Sequence, residues 1–281
     1  MKALFRFAFA EEWAEKNPFD NLIYKQPAAS RRLHEEEAAT YQRYSADELN
    51  KIFALKLFSG SIDDGYGFNK PGPQIIRRHR YWAPVIALWS GLRMNEILQL
   101  EKADVGRTNS GIAFFSVSDA DNGGFNGSGT RKRVKNRNSI RNVPISPVLI
   151  EMGFLDWVDE QKDKRLFPEA TIGGASRLSV NFSKKFATMA EVAGVWESRR
   201  KVFHSFRNNF TDAMRQAGVP LELREAINRW DSQKSMDQNY GSGHTVDVLF
   251  REISRVTYPG LDMSVFRKPS APQNQKAHDA S

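Results

Sequence analysis

At 281 residues the chain is long enough to bury a core in one large domain or two unequal ones. The lack of cysteine excludes disulfides, cysteine nucleophiles and thiolate metal sites, and fits a reducing cytoplasm. No run of about eighteen apolar residues is present, so no membrane partner is expected, while the formal net charge of +8 favours a polyanionic one.

Phe5, Ala8, Phe9 and Trp13 lie along one side of a helix expected over residues 3–16. Its start superficially resembles a signal peptide, but Arg6 interrupts the apolar stretch and Glu11, Glu12 and Glu15 follow, so an amphipathic helix is the better reading. Pro18 ends it. Residues 19–43 are charged and irregular and read as a linker. Ser45-Ala-Asp-Glu48 is a capping box opening a helix with Leu49, Ile52, Phe53 and Leu55. Residues 57–75 are Gly- and Asp-rich and read as a loop, and Arg77, Arg78, His79 and Arg80 form a basic knot. Residues 81–89 are apolar around most of a helical circumference, which predicts a buried helix. Gly91 breaks it, and a second helix follows over 93–100.

Residues 111–117 and 140–145 have strand composition. Between them, 118–139 is rich in Gly, Asn and Arg. No Gly-Lys-Ser/Thr opens a helix after these glycines, so this is not a phosphate-binding P-loop. It reads as a long basic β-hairpin reaching toward a partner, with Arg131, Lys132, Arg133, Lys135, Arg137 and Arg141 as candidate nucleic-acid contacts. A solvated basic face would have the same composition. Helices are expected near 148–163, 176–193, 204–217, 220–228, 233–240 and 244–255, with Gly218-Val219-Pro220 separating two of them. Residues 259–281 form a tail, rich in Pro, Ser, Gln and Ala beyond Pro269 and expected to be largely disordered. The fold class is α+β, mainly α-helical, with a small antiparallel sheet.

Three sets of residues invite chemistry. His204 and Arg207 stand one helical turn apart, where a planar guanidinium can hold two phosphate oxygens and an imidazole can donate or move a proton. Taken alone, the pair is more often an ordinary helix with a buried histidine and a solvated arginine. Arg93 follows Gly91, and Glu96 lies one turn on, able to orient it or to form a surface ion pair. Tyr240 sits among Asp, Gln, Asn and Gly, where its hydroxyl can be accessible. With an ordinary pKa near ~10, that phenol needs cationic neighbours or a base to attack at neutral pH.

In this order the pieces resemble the tyrosine recombinases, the phage-integrase family. The resemblance is carried by Gly91-Leu-Arg-x-x-Glu96, Lys135 ahead of Val143-Pro144-Ile145, His204-Ser-Phe-Arg207, Trp230 and Tyr240, and it spans roughly residues 43–258. It implies a DNA breaking-rejoining catalytic domain over 44–258, with residues 1–18 as the last helix of an N-terminal DNA-clamping domain. The chemistry implied is a transesterification with neither metal nor cofactor. Tyr240 attacks a DNA phosphate to form a 3′-phosphotyrosine link. Arg93 and Arg207 clamp that phosphate, Lys135 protonates the leaving 5′-oxygen, His204 assists proton transfer, and Glu96 supports the site. Trp230 stands where many members have histidine and can donate through its indole. Lys132 competes with Lys135, and the stretch 118–130 is longer than this hairpin usually is.

The resemblance further implies double-stranded DNA as partner and a homo-tetramer on DNA that exchanges a C-terminal helix, monomeric when free, in the cytoplasm with the nucleoid. The apolar stripe Val246, Leu249, Phe250 and Ile253 fits such a helix, or one packed on its own core. A type IB topoisomerase shares the chemistry. A non-catalytic helix-turn-helix module over 204–228 explains the charge but leaves Arg93, Lys135 and Tyr240 as coincidences.

Overall fold

Ser45 and Glu48 cap one another: the Ser45 hydroxyl accepts from the Glu48 N–H at 3.2 Å, and the Glu48 carboxylate accepts from the Ser45 N–H at 2.8 Å. The computed structural model describes residues 11, 13, 41–117, 141–173, 178–228 and 244–267, and there this box starts α1 (Ala46–Phe53). The chain divides into two compact units, Met1–Thr40 and Tyr41–Ser281. Of the helix expected over 3–16, Glu11 and Trp13 are described, and they form a turn and a bend. The other residues of that expected helix lie outside the described ones. In the second unit the folded chain includes residues 41–43, in place of the linker expected there. Gln42 N–H donates to the Arg200 carbonyl, and Tyr44 exchanges two hydrogen bonds with the Asn209 side chain.

The expected loop at 57–75 contains α2 (Lys56–Ser59), because Leu57 and Phe58 are buried. α3 (His79–Ser90) begins earlier than its apolar run, since the distant Glu169 carboxylate accepts from His79 N–H at 2.6 Å and so satisfies an otherwise orphaned donor. Much of the basic knot is spent inside the fold. Arg80 donates to the carbonyls of Asp64 and Gly65, Arg78 pairs with Asp64, and Arg77 lies over the rings of Tyr81 and Trp82.

Gly91, with φ 67°, ends α3, and α4 (Met94–Leu98) is shorter than expected. β1 (Val105–Arg107) joins the two expected strands, β2 (Ala113–Val117) and β3 (Arg141–Pro144), in an antiparallel sheet of order β1-β2-β3. Phe115 stands opposite both Val105 and Val143 in that sheet.

In place of the single helix expected over 148–163, the chain makes α5 (Pro147–Glu151) and α6 (Phe154–Glu160), because Gly153 adopts a left-handed φ of 76° between them. α7 (Leu178–Val192), α8 (Ser205–Gln216) and α9 (Leu221–Asn228) follow. Gly218, φ 72°, closes α8 with paired bonds from Val219 N–H to Met214 O and from Gly218 N–H to Arg215 O. The helix expected at 233–240 lies outside the described residues. α10 (Val246–Ile253) packs on β3, burying Leu249 and Ile253 on its own chain. The expected disordered tail is folded as far as Arg267: a 3-10 turn at Met263–Phe266 inserts Phe266 between Phe53 and Trp89.

α8 packs against α3, and an aromatic core including Phe186, Phe203, Phe206 and Phe210 holds it there. Each such ring contributes roughly 1.5–3 kcal/mol of burial. The fold is therefore α+β, mainly helical, with one small antiparallel sheet. Among the described residues no helix is long and apolar enough to cross a membrane.

Candidate active site

The left-handed turn at Gly91 presents its carbonyl to α8, where Arg207 Nη1 donates to it, while Arg207 Nη2 donates to the carbonyl of Asn228 at the end of α9. Arg207 is thus held between the end of α3 and the end of α9. No side chain larger than hydrogen fits at residue 91: a Cβ there would stand 2.5 Å from Phe210 Cδ1 and 2.7 Å from Asn228 Oδ1. Its left-handed φ disfavours a Cβ as well.

Arg93 occupies the N-cap of α4, and Glu96 at the third helical position reaches back to it. Glu96 Oε2 accepts from Arg93 N–H at 2.8 Å and Oε1 from Arg93 Nη1 at 2.7 Å. A second guanidinium grips the same carboxylate: Arg141 Nη1 and Nη2 lie 3.3 and 3.1 Å from Oε1 and Oε2. Burial alone would raise the Glu96 pKa, but the charge and hydrogen bonds of Arg141, followed by those of Arg93, hold it at about 2. Burial, then the charges of Arg93 and Arg141, lower the Arg207 pKa to about 9, with Glu96 opposing them. Arg207 therefore stays protonated at neutral pH. Among the described residues, three guanidiniums lie within electrostatic reach of one carboxylate, an excess of positive charge in a desolvated place. Such a place favours an anion, and one whose charge grows during reaction most of all.

Arg93, Glu96 and Arg207 thus come together. Arg93 keeps 26% of its side-chain surface exposed, so its fork can meet a ligand. His204 sits at the N-cap of α8, one turn before Arg207, with its ring 5.5 Å from that of Tyr41. Arg141 departs from expectation. The basic run groups it with the DNA contacts, but its side chain is 4% exposed and turned inward to Glu96 and to the Ile227 carbonyl. The cause is strand alternation: Arg141 shares a face with buried Val143, and a cation there needs a carboxylate. That alternation is the sequence signal that identifies it.

Lys135, Trp230 and Tyr240, with Arg131, Lys132, Arg133 and Arg137, lie outside the described residues. Among the described tyrosines, Tyr44, Tyr81 and Tyr258 have phenols pushed up by burial, so none of these three is poised to ionise. Tyr41, beside His204, is a neighbour that the sequence does not reveal. It comes from the segment read as linker, with no motif to mark it.

No protein-family model and no curated protein matches the chain. Among solved structures it is similar to an integrase from mycobacterium phage Brujita, at 15% identity and a TM-score of 0.48, over 96% of this chain and 71% of that one. It is also similar to the Tn1549 transposon integrase in complex with circular intermediate DNA, at 18% identity and a TM-score of 0.42, over 90% of this chain and 75% of that one. The XerH site-specific recombinase bound to difH substrate is similar at 18% identity and a TM-score of 0.46, over 82% of this chain and 56% of that one.

Proposed function

We propose that the chain is the catalytic part of a site-specific DNA recombinase that cleaves and rejoins strands through a covalent 3′-phosphotyrosine. The observation that carries this reading is the union of two distant arginine motifs, with Arg207 bonded to Gly91 and Arg93 and Arg141 fixed on Glu96. An isolated basic surface would not bury its arginines or converge them on one carboxylate.

In this reading the scissile phosphodiester lies on Arg93 and Arg207. Arg207 spends one N–H of each Nη on the Gly91 and Asn228 carbonyls, which leaves its other N–H groups as donors for the phosphate. The Tyr240 hydroxyl gives up its proton with the help of His204. Its oxygen forms a bond to phosphorus as the bond from phosphorus to the 5′-oxygen breaks, and Lys135 gives that leaving oxygen its proton. One phosphoester replaces another, so no external energy source is required. The dianionic transition state meets the excess guanidinium charge, and electrostatic stabilisation is the main contribution of the site. His204 assists proton transfer and Trp230 donates from its indole; in sequence Trp230 follows Asn228, the residue that anchors Arg207. Double-stranded DNA is the partner, gripped by Arg131, Lys132, Arg133 and Arg137, and the setting is the nucleoid of a cytoplasm.

In the same reading the catalytic domain spans residues 44–258. The resemblance supports a tetramer on DNA that exchanges a C-terminal helix. Leu249 and Ile253 of α10 are packed on their own chain, so α10 would have to leave β3 to be that helix. The helix-turn-helix alternative is not favoured, since the inward face of α8 is committed to Gly91 and the core.

The test uses a pool of nicked duplexes with randomised sequence around the nick, enriched over successive rounds for covalent protein–DNA adduct. The nick lets the freed strand diffuse away and traps the intermediate. The wild-type chain accumulates an adduct and Tyr240→Phe does not; an adduct of equal yield in the variant contradicts the assignment. If Lys135 is the acid, a 5′-thio leaving group restores cleavage to Lys135→Ala, and rescue of Lys132→Ala instead transfers the role.

A further inference from the structure

Arg141 stands where three parts of the site touch. Its Nη1 and Nη2 reach both Glu96 oxygens, and Glu96 in turn holds Arg93. Its Nε donates at 2.7 Å to the carbonyl of Ile227, the residue before Asn228, whose own carbonyl accepts from Arg207. Its backbone begins β3, directly after the segment that carries Lys135. The Arg141 and Glu96 side chains are each 4% exposed, so the pair is not a surface ornament. A buried cation is retained at a desolvation cost unless every direction of its fork is used. The planar guanidinium serves two carboxylate oxygens and a backbone carbonyl at once, which the point charge of a lysine cannot do.

We propose that Arg141 is a positioning residue: through Glu96 it fixes Arg93, and through Ile227 it registers the start of β3 against the end of α9. Arg93, the start of β3 and the end of α9 then keep one geometry. The proposal rests on the recombinase reading above and adds to it a residue that acts without touching DNA. It also explains why β3 begins with a buried arginine rather than an exposed one.

The test is single-turnover adduct formation on the enriched nicked duplex, with DNA affinity measured separately. It compares the wild type with Arg141→Gln, Arg141→Lys, Glu96→Gln and the double variant Glu96→Gln/Arg141→Gln. Arg141→Gln is expected to slow cleavage by roughly 10–100-fold while affinity changes less than about threefold, the split of a residue acting on geometry rather than binding. Arg141→Lys is expected to recover little of that loss. In the Glu96→Gln background, Arg141→Gln should cost clearly less than it does alone, because its path to Arg93 is already cut and only the path through Ile227 remains.

A cleavage rate equal to wild type in folded Arg141→Gln overturns the proposal. So does an equal loss with and without Glu96, which would mean that Arg141 does not act on Arg93 through that carboxylate. If Arg141→Gln melts below the assay temperature, Arg141→Lys carries the comparison, and near-wild-type cleavage by it overturns the proposal. A wild-type chain that forms no adduct overturns the recombinase reading itself, a result distinct from all of these.

Discussion

Arg207 and Gly91 are joined by a hydrogen bond across 116 positions of sequence, the guanidinium donating from Nη1 to the glycine carbonyl. The bond ties the helix that carries His204 and Arg207 to the turn that precedes Arg93. It forms because residue 91 can turn left-handed and lets Phe210 and Asn228 approach the backbone.

Gly91→Ala should therefore damage both stability and chemistry. The added methyl meets Phe210 and Asn228 and sits on a left-handed φ, costing about 1–3 kcal/mol. Urea melts measure that cost, and adduct yield should fall with it. A variant of wild-type stability would mean that the turn is not as tight as described.

Glu96 gives the site a pH signature. Its folded pKa of about 2 lies below its ordinary value of 4.5. A depressed carboxylate contributes stability that is fully present above the ordinary pKa and is lost as pH falls through the folded one. The shift corresponds to roughly 3 kcal/mol lost between about pH 4.5 and 2. Glu96→Gln should remove that part of the acid slope. At neutral pH it should destabilise by about 3–5 kcal/mol, because three guanidiniums lose their counter-charge. Chemical denaturation at several pH values measures both.

The sequence and the structure agree where a local device decides the outcome. Ser45 and Glu48 form their capping box, Gly218 stops α8, and the apolar run at 81–89 is a buried helix. They part where tertiary context decides. Gly153 is conformationally free, so nothing local announces that it splits one helix into α5 and α6. Val105-Gly-Arg107 is too short to show alternation and becomes a strand only through its pairing with β2. Phe266, within a span read as disordered tail, is ordered by the gap that it fills beside Phe53 and Trp89. At the site, the order of the motifs brings Arg93, Glu96, His204 and Arg207 into view. Arg141 is obscured by the basic run before it, because composition outweighs the period of two that turns it inward.

An excess of guanidinium charge predicts anion binding by the free protein. Inorganic phosphate at about ten times its dissociation constant should stabilise the fold by roughly 1.4 kcal/mol. For a chain of this size that is a rise in Tm of about 2–6 °C over chloride at matched ionic strength. Arg207→Gln should abolish the difference. Equal melting in the two salts would contradict a preformed phosphate clamp.

DNA affinity should fall steeply with salt, with a log–log slope near roughly −0.9 for each phosphate neutralised. Replacing Arg131, Arg133 and Arg137 by Gln should flatten that slope by about 1 for each phosphate left without its arginine. Arg141→Gln should leave it unchanged, since that side chain is turned to Glu96 and Ile227. A flatter slope in Arg141→Gln would return the residue to the DNA-contacting set.

The covalent link decides the matter most directly. Protease digestion of the purified adduct, followed by mass spectrometry of the peptide carrying the nucleotide, reports which side chain holds the phosphate. The prediction is a phosphodiester between a DNA 3′ end and Tyr240. Attachment to Tyr41, which lies beside His204, or to any residue other than Tyr240, would contradict it.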